Sequence, residues 1–399
     1  MGLFSFFRKP PDRAGFARLM ERALREAGET RPIRFDAEEF RLSVGGERGL
    51  QCYLGNIYDE YLKARDRGAA VKRFAKAYHQ AGSIPDTLDR WKDARPKLLP
   101  RLRERMYIEN RRITLQTQGK PVPELPFRPV GDHLGATLVY DLPDSMLEIT
   151  HDALSKWKVP FGDALEAARD NLWEISKDRL LPMRPGLYRS PWADNYDASR
   201  LLLHDLIWQF PVKGSHVALV PNRDTLLVTG SDDAEGLLEI LARAMKAYES
   251  PRPMGARPLL LAGSRWTSLE LPPDHPAYAS WKRAELLSYA SDCAEQKGLL
   301  DTLHQKRDVD LFVATFTATE RPDSGEVSSY AVWSEGLPTL LPRADRIAFV
   351  RREKVIGMVP WERVLEAFGS LMSPQGSYPE RWKVTAFPDD AALRSALRS

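Results

Sequence analysis

The chain has 399 residues, 58 Lys+Arg against 55 Asp+Glu for a formal charge of +3, and 43% hydrophobic residues. That is the composition of a globular protein with a sizeable core, which excludes wholesale disorder, and its near-neutral charge argues against a dedicated nucleic-acid coat. Two cysteines, Cys52 and Cys293, make neither a disulfide framework nor a four-cysteine zinc site.

In chain order, the apolar start Met1–Phe7 is followed by Arg8-Lys9, the reverse of an export signal, so a cytoplasmic protein is expected. No apolar run reaches spanning length. Phe16, Leu19, Met20, Ala23 and Leu24 recur at helical spacing and predict a helix over 12–27, stopped by Gly28. Residues 33–35 and 40–44 predict a hairpin, and Asn56 is placed to cap a broken helix reaching residue 80. Residues 98–117 read as strands, 119–133 as a Pro/Gly-rich connection, 135–150 as two strands around Pro143-Asp144, and 160–177 as a helix.

A strand near 186–192 leads to a helix over 196–209 opened by Asp194 or Asn195. Strands 216–220 and 225–229 flank a turn at Pro221-Asn222-Arg223-Asp224, and Ser231 caps a helix over 232–249. A connector follows at 250–258. Beyond it come a helix over 277–306, hairpins at 309–334 and 346–359, a helix over 361–371, a strand over 382–387 and a terminal helix. Mixed strands and helices with several hairpins predict an α+β protein with mostly antiparallel sheets, in two units spanning 12–265 and 275–399.

The run Asp194-Asn195-Tyr196-Asp197-Ala198-Ser199-Arg200, followed by Val220-Pro221-Asn222-Arg223-Asp224, resembles the YtpQ family of uncharacterised bacterial proteins. Asn171-Leu172, Tyr140-Asp141-Leu142, Leu99-Pro100-Arg101-Leu102-Arg103 and Phe35-Asp36 extend the resemblance over roughly 12–265. The family has no established activity, so the resemblance implies a soluble intracellular bacterial protein and carries over no mechanism.

The P-loop, nucleophile-elbow, zinc-protease and dinucleotide-binding motifs are all absent from the sequence. The strongest polar constellation is Asp194, Asp197, Arg200, His204 and Asp224. On one helix, Asp197, Arg200 and His204 at i, i+3 and i+7 share a face, and Asp224 lies on a nearby turn. Carboxylates with one imidazole suit a divalent cation or acid–base chemistry, but the same residues suit a helix start, where Arg200 returns to Asp197. Arg101, Arg103 and Arg105 alternate as on a strand face able to grip phosphates, or as the solvated side of a half-buried strand with Leu102 and Met106 inward. The leading expectation is a protein-interaction or accessory role with another protein as partner. A metal-assisted hydrolase or transferase using the carboxylate set is the alternative, and weak nucleic-acid binding comes third. No cofactor is expected beyond that divalent cation.

Overall fold

The computed structural model describes residues 10–46, 50–81, 88–122, 124–143, 145–248 and 253–398. The expectation for Met1–Phe7, and parts of those for Pro143-Asp144 and 250–258, lie outside them. Helix α1 (Arg13–Glu26) begins where Asp12 Oδ1 accepts the Gly15 amide at 2.7 Å, and Gly28 ends it at φ +102°. Strands β1 (Ile33–Asp36), β2 (Arg41–Val44) and β3 (Leu50–Tyr53) precede α2 (Gly55–Lys63) and α3 (Arg67–Ala81). Helix α2 starts one residue before Asn56, after Leu54, with no side-chain cap.

After α4 (Trp91–Ala94) comes β4 (Leu98–Glu104), where the predicted strand run ends, because Arg105 opens helix α5 (Arg105–Thr117). Met106, Glu109 and Ile113 are its buried positions, a three-and-four spacing filled largely by good helix formers. Strands β5 (Arg128–Val130), β6 (Leu134–Asp141) and β7 (Met146–Glu148) lead to α6 (His151–Trp157) and α7 (Phe161–Glu174).

Then come β8 (Leu181–Arg184), β9 (Leu187–Arg189), a 3₁₀ turn at Ala198–Leu202, α8 (His204–Ile207), β10 (His216–Asn222), β11 (Thr225–Gly230) and α9 (Ala234–Ala247). Asp233 rather than Ser231 caps α9, accepting from the Gly236 amide at 3.1 Å. The remainder is β12 (Leu259–Ala262), β13 (Arg265–Ser268), α10 (Tyr278–Arg307), β14 (Phe312–Val313), β15 (Thr317–Glu320), β16 (Val327–Ser334), β17 (Thr339–Pro342), β18 (Arg346–Arg351), β19 (Lys354–Pro360), α11 (Trp361–Phe368), β20 (Met372–Pro374), β21 (Arg381–Val384) and α12 (Asp390–Arg398).

This is an α+β fold, 41% helical and 27% strand, with mostly antiparallel pairing. The chain divides into two compact units, residues 1–99 with 138–171, and residues 100–137 with 172–399. The sequence boundary near 250–275 falls inside the second of them. In the first unit, β1-β2-β3 covers a core of Phe16, Met20, Leu24, Leu42, Cys52, Ile57 and Val71.

The second unit holds a six-stranded sheet, order β13-β12-β10-β11-β9-β8, and two four-stranded sheets, β14-β17-β21-β20 and β15-β16-β18-β19. Helix α10 serves three cores: its Ala284 joins Leu187, Val217, Leu237 and Ile240, its Leu286 and Cys293 join Trp333, Phe349, Val364 and Phe368, and its Leu300 and Leu303 join Ile113, Val313 and Leu340. Cys52 and Cys293 are both free and buried.

Candidate functional site

The predicted helix over 196–209 does not form as one helix. Ala198 to Leu202 are all buried, so no solvated face is available, and the segment tightens into the 3₁₀ turn before α8. The three-and-seven spacing of Asp197, Arg200 and His204 therefore no longer defines a face. His204 opens α8 instead, its ring 5.9 Å from Trp208 and 6.3 Å from Trp266.

The other four residues do converge, in a clamp built on Arg200. Its side chain is fully buried, pairs with both oxygens of Asp194 at 2.7 and 2.8 Å, donates Nε–H to Ser176 Oγ at 2.8 Å, and stacks 4.0 Å from the Trp192 ring. The expected Arg200–Asp197 pair is thus replaced by Arg200–Asp194, because the inward turn brings the guanidinium to the earlier carboxylate. Asp194 Oδ1 also accepts the Tyr196 amide at 2.9 Å. Asp197 Oδ2 accepts the Asp194 amide at 3.2 Å, and its Oδ1 is sealed without a partner.

Asp224, on the two-residue turn between β10 and β11, accepts the Asn195 amide at 3.0 Å, and the Arg223 carbonyl accepts the Ala198 amide at 3.1 Å. Asn195 sits at φ +71°, a conformation Asn tolerates better than most residues. Burial pushes the Asp194 carboxyl up, but the Arg200 guanidinium and the Tyr196 N–H outweigh it and hold it below the ordinary carboxylate range. Apart from Asp197 Oδ1, the carboxylate oxygens are spent on backbone amides and arginines. Among the described residues, no group of three or more His, Cys, Asp or Glu side chains is arranged to hold a metal ion.

The basic stretch also departs from expectation. Arg101 and Arg103 lie on β4, but Arg105 belongs to α5 and leaves their strand face. Its guanidinium lies 4.5 Å from the Tyr378 ring and donates to the Asp132 carbonyl at 3.0 Å, while Arg103 stacks 4.2 Å from Tyr107. Leu102 and Met106 point inward, as read from the sequence.

A polar seam along α10 went unread. Glu285, Ser288, Asp292 and Gln296 fall at i, i+3, i+7 and i+11, a polar stripe of the kind that on most helices faces solvent. Here Ser288 and Gln296 are fully buried. Arg257 donates to Asp292 and, at 2.8 Å, to Tyr378 Oη, which itself donates to Asp292 at 2.9 Å. Gln296 accepts from the fully buried Arg381 at 2.7 Å.

Burial pushes the carboxyls of Glu285 and Asp292 up despite Arg257, and raises Glu104 to about 7 with help from nearby Asp292 and Glu295. Burial, with Arg257, lowers His133 well below its usual value, so its ring is neutral. The stripe's spacing was the available signal; its burial was not in the sequence.

One surface of the second unit exposes apolar side chains in series. Strand β19 ends its sheet, paired only with β18, and Val355, Ile356 and Met358 are 62%, 40% and 39% exposed. Between Val355 and Gly357 the register with β18 shifts, and this bulge presents Val355 and Ile356 outward in succession. Core-facing Val359 is fully buried.

No family model, curated protein or solved structure matches the chain.

Proposed function

We propose that this chain is a cytoplasmic, YtpQ-like protein that works by contact with another protein, docking an extended segment of its partner along β19. The observation that carries this reading is the apolar edge of Val355, Ile356 and Met358 at the end of a sheet. An edge strand offers a row of backbone donors and acceptors without a strand partner, and exposed side chains beside it supply selectivity. Natural edges are usually blunted by charge; here Lys354 precedes an uncharged run from 355 to 359. Two buried, unpaired cysteines fit a reducing compartment.

The test is affinity capture from the native host with wild type and with an Ile356→Lys/Met358→Lys variant, followed by amide hydrogen exchange on the complex. The expected result is a stoichiometric partner lost by the variant, with protection gained across 355–360. Partners retained by the variant, or protection confined to other segments, would overturn the reading. Self-association abolished by the same variant would assign the edge to a second copy instead.

A further inference from the structure

Helices α11 and α12 flank an open concavity of about 500 Å³ lined by Arg363, Ala391, Arg394, Ser395 and Arg398. On α12 the lining residues fall at i, i+3, i+4 and i+7, so a single helical face supplies them, with arginines one turn apart and small residues between. Arg363 reaches the same space from the first turn of α11.

Three guanidiniums thus meet with little counter-charge: the Asp390 carboxyl is held below its ordinary range chiefly by its hydrogen bond to Arg351 and only in smaller part by Arg394. Among the described residues none of the three forms an ion pair or side-chain hydrogen bond. Carboxylates on the same helices are engaged elsewhere: Glu362 with Arg343 at 3.5 Å, Asp390 with Arg351 at 2.7 Å, and Asp389 with the Ala392 amide at 2.8 Å. Exposed Glu366, one turn from Arg363, makes no ion pair with it.

Two of these placements run against local electrostatics. Like charges one turn apart on a helix repel, and a cation in the first turn of α11 faces the positive end of its dipole. The last turn of α12 gives Arg398 a favourable dipole position, but nothing equivalent exists for Arg363. Its Nε–H is also sealed from solvent with no acceptor. A buried donor left unmatched is costly, and a bound oxyanion would supply the acceptor and neutralise the cluster together. Guanidinium forks match the oxygens of a phosphate, and the volume lies within the range of small-ligand sites.

We propose that the α11–α12 concavity binds a small phosphorylated molecule through its phosphate monoester dianion, held by Arg363, Arg394 and Arg398. The surrounding structure does not need the ligand, since Val364, Phe368, Leu393 and Ala396 bury the helices against the core on their other faces.

The full chain is titrated with inorganic phosphate and phenyl phosphate, against sodium chloride at matched ionic strength, by calorimetry and thermal shift. Saturable binding is expected for both phosphates. Affinity should fall about tenfold or more in Arg394→Ala and in Arg363→Lys, which keeps the charge but loses the fork. Because Arg394 is exposed, its variant retains the wild-type melting temperature without phosphate, separating lost binding from lost folding. A response no greater than that of chloride, or one unchanged in Arg394→Ala, would overturn the proposal. So would binding seen only with phosphatidic-acid vesicles, which would assign the arginines to a lipid headgroup.

Discussion

The clamp at 194–224 and the seam along α10 are made of the same parts, carboxylates facing arginines, yet their acids are pushed in opposite directions. In the clamp, one guanidinium meets one carboxylate through both forks, a backbone amide adds a third hydrogen bond, and the Asp194 side chain is 36% exposed. Its charged form is favoured. In the seam, Glu285 and Asp292 share the field of Arg257, and Glu104 lies within reach of both Asp292 and Glu295. Desolvation and mutual repulsion then outweigh attraction, and the neutral form gains. Depth of burial against the number of donors per carboxylate, rather than the presence of an arginine, decides the sign.

The sharpest way to break this contrast is Asp194→Ala. Removing the carboxylate strands a fully buried guanidinium, so urea denaturation should show a loss of about 4 kcal/mol. A loss near 1 kcal/mol, typical of a helix cap, would mean that Arg200 finds another partner.

Glu104→Gln tests the seam and has the opposite sign. A carboxyl whose folded pKa of about 7 exceeds its ordinary 4.5 binds protons more tightly when folded. Its favourable contribution is complete below the unfolded value and is lost as pH rises through the folded one. Glu104→Gln should therefore match wild type near pH 4.5 and exceed it by about 3 kcal/mol at pH 8, read from denaturation midpoints across that range. A variant less stable at pH 8 would show the carboxylate to be a needed acceptor.

The smallest effect is expected at the edge of the clamp. Asp224→Ala removes the acceptor of the Asn195 amide and should cost about 1 kcal/mol. Thermal melts of wild type and Asp197→Ala with and without Mg²⁺, Mn²⁺ or Ca²⁺ complete the comparison, with no metal-dependent shift expected. A shift in wild type that vanishes in Asp197→Ala would turn the clamp into a cation site.

Helix α1 was legible because period and stop agree: Phe16 to Leu24 repeat at helical spacing and Gly28 terminates, and the structure adds the Asp12 cap. The β10–β11 hairpin was legible for the same reason, its strands flanking a tight turn. Where local signals conflict, reading along the chain fails. The alternation of Leu98 to Arg103 carried the strand expectation past residue 104, although Met106, Glu109 and Ile113 already follow a helical period. Residues 259–268 form a hairpin around Gly263 that no strong pattern marked.

At the candidate site, composition brought Asp194, Asp197, Arg200 and Asp224 to notice, since polar residues gathered around two turns are conspicuous at short range. Which carboxylate Arg200 chooses, that His204 opens a separate helix, and that the face of α10 with Glu285, Ser288, Asp292 and Gln296 is covered by other chain segments depend on the tertiary fold. Tyr378 is 86 residues from Asp292, and Arg381 is 85 from Gln296. Local spacing determines which residues share a helix face or strand face, because backbone geometry repeats every few residues. Only the tertiary structure decides whether that face meets water or another chain segment, and with it whether a carboxylate is an ordinary surface charge or one that holds its proton near neutrality.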